Sequence, residues 1–184
     1  MKGKYSKSFQ IALSAISCAV ASGFLALGIL NGYLLALGYF VGILALMLPL
    51  SKQFYLGGFL AYAGACVLAL VLGAVVKFWD LIPFIIFFGL HPLVNSLQVR
   101  FNINKWLAFA LKAVWFVGTL YAGYFMIYYG LIGAGLMQTK FMEAAEEYVP
   151  YIIPAAGALI FFVYDYLIFK CQIIINRLIY RIKK

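Results

Sequence analysis

Between Lys7 and Lys52 the chain runs for 44 residues without one charged side chain. A helix needs about 20 apolar residues to cross a bilayer, so this run is too long for one crossing and right for two. Asn31-Gly32 lies near its middle and is a strong turn pair. The apolar runs are continuous and do not alternate, which predicts helices and not the strands of a barrel.

The remaining chain repeats the pattern. Apolar types make up 67% of the residues and charged types 10%, against about half and about a quarter in a soluble domain. A chain of this size leaves too much of its surface exposed to hide that apolar load in water. A soluble enzyme, a disordered chain and a free nucleic-acid binder are thereby excluded. The sequence predicts an all-α, polytopic membrane helical bundle with six transmembrane helices and one integral membrane domain over 1–184. The spans fall at about 10–30, 33–50, 54–76, 81–99, 106–136 and 151–169, with a basic tail over 170–184. Pro83 and Pro92 predict a kink or break in the fourth span.

Sidedness follows from the basic residues. With the N-terminus in the cytoplasm, twelve Lys and Arg residues fall at or near the inner side and only Lys77 and Lys140 outside. That is the bias expected of cytoplasmic loops, so both termini are expected in the cytoplasm and the protein in the cell (inner or plasma) membrane. The formal charge of +9 is then a sidedness signal and no nucleic-acid patch. The start, MKGKYSKSFQIALSAISCAVASG, has the basic region of a signal peptide, but its apolar run continues too far, so an uncleaved first helix is expected. Cys18, Cys66 and Cys171 have neither metal nor redox spacing.

Small residues form stripes at helical spacing: Ala15, Ala19 and Gly23 in the first span, and Gly57, Ala61, Ala65, Ala69 and Gly73 in the third. Such stripes let helix backbones approach closely. They serve either packing inside the bundle or contact with a partner helix, for which Ala15, Ala19, Gly23, Ala61 and Ala65 are the candidates. In the fifth span Tyr121, Tyr124 and Tyr128 lie near one helical face, with Trp79 at a similar depth. These rings form either an interfacial belt or the wall of an outward-facing ligand pocket. The segment MQTKFMEAAEEYVP has the pattern of a short amphipathic helix on the outer surface, where Glu143 and Glu147 are candidates for ligand contact.

Ionisable groups inside a membrane are costly and call for partners. Asp165 and Lys112 lie at matched depths, about 7 and 9 Å from the inner ends of their spans at 1.5 Å per residue. They are predicted to form an ion pair, which Asn95 would join as a neighbour in depth. His91 precedes Pro92 and lies four residues before Asn95. It is either a ligand contact, a proton carrier or a packed histidine beside a helix break. His91, Asn95, Lys112 and Asp165 are thus the candidate intramembrane polar cluster. A catalytic site is not expected, since no nucleophile with its base, paired acids or metal spacing occurs. No resident cofactor is expected, and no phosphate-binding Gly-rich loop is present.

With these features the chain resembles the S components of energy-coupling factor vitamin transporters. In AISCA, Ala15 and Ala19 match the Ala-x-x-x-Ala pattern through which the family's first helix meets its T component. The stretches FFGLHPLVNSL, KWLAFALKAVWF and VYDYLIFK also resemble a group of six-span membrane proteins of Firmicutes. The resemblance implies a substrate-binding membrane subunit for a small, vitamin-like molecule. Its partners would be membrane lipid, a T-like transmembrane subunit and separate ATPases. The alternative is a non-catalytic scaffold or assembly protein of the cell envelope, similar in plan to the rod-shape MreD family.

Overall fold

The computed structural model describes residues 5–74, 77–133 and 140–181, with the side chains of 5–73, 77–125, 148 and 151–179. Over these residues the chain is all-α and contains no strand. The helices are α1 (Lys7–Leu30), α2 (Leu35–Ser51), α3 (Tyr55–Ala69), α4 (His91–Arg100), α5 (Lys105–Gly133) and α6 (Lys140–Arg181). Six segments are long and apolar enough to cross a membrane: Lys7–Leu30, Gly32–Ser51, Tyr55–Gly73, Phe78–Arg100, Lys105–Phe125 and Tyr151–Ile179. The protein is a multi-pass membrane protein, and each predicted span has its counterpart.

The sequence predicts a single domain; the chain divides into two compact units. One contains Met1–Asn102 and Ile168–Lys184, the other Ile103–Leu167. In the first unit, α1 starts at Ser6, whose side chain accepts a hydrogen bond from the Phe9 amide at 3.2 Å. That cap satisfies one of the amides a helix start leaves unpaired. Ser17 and Ser22 are buried, and each donates its hydroxyl to a carbonyl of its own helix. Asn31 closes α1 and its side chain accepts from the Tyr33 amide, so the chain turns straight into α2. α1 and α2 then pack through glycine. A Cβ on Gly28 would stand 3.1 Å from the Leu34 carbonyl oxygen, and one on Gly38 would stand 2.5 Å from that of Phe24. Around this contact Ala21, Leu25, Ile43 and Leu46 form the core.

The fourth span is broken as the prolines predict. It opens on a 3₁₀ turn (Phe78–Leu81), passes through a π turn (Phe84–Phe88) and resumes as α4, with Pro92 in its first turn. A second π turn, Leu70–Ala74, ends the third span without any proline to announce it. Irregular backbone in a membrane needs other groups to satisfy it. Tyr62 donates to the Ile85 carbonyl at 2.6 Å, inside the proline-linked π turn, and Tyr39 donates to the Asp80 carbonyl. Tyr62→Phe should therefore lower stability by about 1 kcal/mol, the usual worth of such a bond. A thermal melt in detergent would read this, and an unchanged midpoint would show that the carbonyl needs no donor.

In the second unit α5 and its part of α6 pack through aromatic rings. Phe161, fully buried, lies 5.3 Å from Phe109 and 5.5 Å from Phe116. α6 corrects one expectation. The segment from Lys140 to Pro150 is the start of one 42-residue helix and no separate surface helix. The same helix runs on past 169 through the basic tail to Arg181, in keeping with the helical pattern of that tail. Helical hydrogen bonding is indifferent to the change from acidic to apolar side chains that marks a membrane boundary.

Candidate functional site

The first unit carries a groove of about 830 Å³ between α1 and α3. α1 supplies Gln10, Ile11, Ser14, Ala15 and Cys18. The turn after α2 supplies Gln53 and Phe54, and α3 supplies Tyr55, Leu56, Gly57, Leu60 and Ala61. Arg100, at the end of α4, closes one side. The turn is sharp because Gln53 takes a left-handed backbone, φ 62°. The floor is narrow because Gly57 has no Cβ; one there would run into Ser14 Oγ.

Several aromatic and cationic groups hold the polar end together. Tyr5 packs edge-on against Phe54 at 5.5 Å, and Lys52 Nζ lies 5.0 Å from the centre of the Tyr5 ring. Lys52 also donates to the Ile179 carbonyl at 3.3 Å, which ties the end of α6 to this turn. The Arg100 guanidinium lies over the Tyr55 ring at 4.8 Å, a contact favoured by the ring quadrupole.

The two small-residue stripes differ. Ala15 and Ala19 are exposed on α1, and a Cβ on Gly23 would meet nothing within 4 Å. Ala61 and Ala65 are 2% and 0% exposed. The chain's own packing covers them, so they offer no surface to a partner helix. The reason is periodicity itself: a stripe of small residues marks close approach without saying to what.

The ion pair predicted from depth is present in the second unit. Lys112 Nζ lies 2.6 Å from Asp165 Oδ1, and Lys112 is 4% exposed. Phe116 and Phe161 are buried in the same helix pair, with Tyr164 stacked on Phe116 at 6.3 Å. Such a pair neutralises two charges and clasps α5 to α6. His91 and Asn95 belong to the first unit, and Lys112 and Asp165 to the second. Both are buried, His91 beside the Phe87 ring at 5.2 Å. On the same helix Ser96 Oγ accepts from Gln172 Nε2 at 2.9 Å. Among the described residues no group of three His, Cys, Asp or Glu side chains is placed to hold a metal ion.

The six candidate ligand contacts are distributed over both units. Trp79 belongs to the first unit and is 64% exposed beside Phe78. Tyr121 and Tyr124 belong to the second, half-buried, and both contact Phe125. Tyr128, Glu143 and Glu147 lie outside the residues whose side chains are described. Sequence reasoning missed the groove, although Gln53 and Arg100 flank predicted spans. It also missed Gly38 and Gly42, a Gly-x-x-x-Gly pair that was legible in the second span. Comparison with protein-family models, curated proteins and solved structures found no match.

Proposed function

We propose that this chain is a non-catalytic subunit of a membrane complex in the bacterial plasma membrane, both termini cytoplasmic. In this reading it binds a small, vitamin-like metabolite for a transporter whose energy comes from separate ATPases. The observation that carries the reading is the exposure of Ala15 and Ala19 on α1. A face this smooth lets a second helix approach closely, and it is the face on which the resemblance to S components puts the T-like partner. In native membranes, Ala19→Cys in a chain cleared of its own three cysteines should crosslink to a partner subunit, and Ala65→Cys should not. Crosslinks confined to this chain would defeat the partner.

A second reading, an envelope scaffold, is favoured by the described rings. Trp79 stands in the open, and Tyr121 and Tyr124 lean on Phe125. A panel of vitamins separates the two readings. A ligand at about 100 times its Kd stabilises the folded chain by about 2.7 kcal/mol. A raised melting midpoint with one vitamin supports transport, and no shift with any supports the scaffold.

A further inference from the structure

We propose that the groove between α1 and α3 binds one anionic phospholipid, with its phosphate at Arg100 and one acyl chain laid along the two helices. The groove grades from polar to apolar. Gln10, Gln53 and Arg100 line one end, and the lining on α1 then runs inward to Cys18, about 12 Å at helical rise. Ile11, Leu56 and Leu60 are 69%, 72% and 58% exposed, so the groove opens sideways, in the direction of lipid tails.

Charge selects the headgroup. Arg100 is exposed, held by aromatic rings, and among the described residues it pairs with no carboxylate. The first unit contains a single acid, Asp80, which sits at the opposite end of the same span. Lys52, next to Gln53, adds a second cation at the groove's end. A phosphate there meets only positive charge, whereas an apolar partner helix would leave Arg100 unmatched. At the floor, Ser14 Oγ is buried and has no hydrogen-bond partner among the described residues. An ester carbonyl lowered between the helices would accept its proton.

The groove shares Ala15 with the face proposed for a partner helix, so lipid and partner would compete there, and the test reads lipid binding on the isolated chain. The test is native mass spectrometry of the delipidated full chain, titrated with phosphatidylglycerol or phosphatidylcholine of identical chains. The wild type should retain one phosphatidylglycerol about fivefold more tightly than phosphatidylcholine, the effect of one basic residue on an anionic lipid. Arg100→Gln should cut that preference to the share Lys52 supplies and keep the weaker binding common to both lipids. Ala15→Phe fills the groove from an exposed position and should abolish the one-lipid species at an unchanged melting midpoint. Should that variant not fold, Ile11→Trp takes its place. Equal affinity for the two lipids in the wild type would overturn the proposal. So would retention undiminished by the filling variant, or protection by free glycerol 3-phosphate equal to that of the lipid, which would mark a soluble-anion site.

Discussion

Lys112→Ala alone should destabilise the protein more than Lys112→Ala combined with Asp165→Ala. The two side chains meet at 2.6 Å, and their accessible fractions are 5% and 16%. Removing the ammonium takes from a largely buried carboxylate the counter-charge it meets at 2.6 Å. Breaking a buried pair from one side costs about 3–5 kcal/mol, because the stranded charge keeps its desolvation penalty. Taking out both ends removes that penalty together with the attraction, so the double variant should recover a large part of the loss. Asp165→Ala alone should behave like Lys112→Ala. Thermal midpoints of the four proteins in one detergent give the coupling directly. Strict additivity would mean that the charges do not feel each other, and the clasp between α5 and α6 would then be packing alone.

This pair was legible because its cause is one-dimensional. Depth in a membrane is counted along the chain, and two opposite charges at one depth on neighbouring spans have few other partners. The spans were legible for the same reason, since a run such as 8–51 needs only its length and its lack of charge. What faces what is a different matter. Ala15-Ala19 and Ala61-Ala65 have the same spacing, and yet one pair is exposed and the other buried. Only the packing of α3 against its neighbours decides that, and spacing carries no record of it. The groove was hidden likewise. Arg100 reads as one more inner-side charge until the fold sets it beside Tyr55. The continuity of α6 was masked by composition, because Glu146, Glu147 and Pro150 make the segment look like a separate surface helix.

Substitution at the glycines of α1 and α2 should give a graded series. Gly38→Ala places a methyl 2.5 Å from the Phe24 carbonyl oxygen, and Gly28→Ala places one 3.1 Å from that of Leu34. Carbon-to-oxygen contacts between helices normally settle at about 3.3–3.6 Å. At Gly38 the obstacle is backbone, so no rotamer change relieves it and the two helices must separate. Two effects then oppose each other. Alanine gains about 1 kcal/mol over glycine in helix propensity. Overpacking a close contact costs about 1–3 kcal/mol, and separation also loosens Leu25, Ile43 and Leu46, each at most 2% exposed. The clash should win at Gly38, with a net loss of up to about 2 kcal/mol from these terms. At Gly28, where the overlap is a few tenths of an ångström, the two should nearly cancel. Gly23→Ala meets nothing within 4 Å, so propensity acts alone and the midpoint should hold or rise. The order of thermal midpoints should be Gly23→Ala above Gly28→Ala above Gly38→Ala. A Gly38→Ala chain as stable as the wild type would mean that α1 and α2 do not pack backbone to backbone. The small residues of the second span would then have been chosen for something other than this contact.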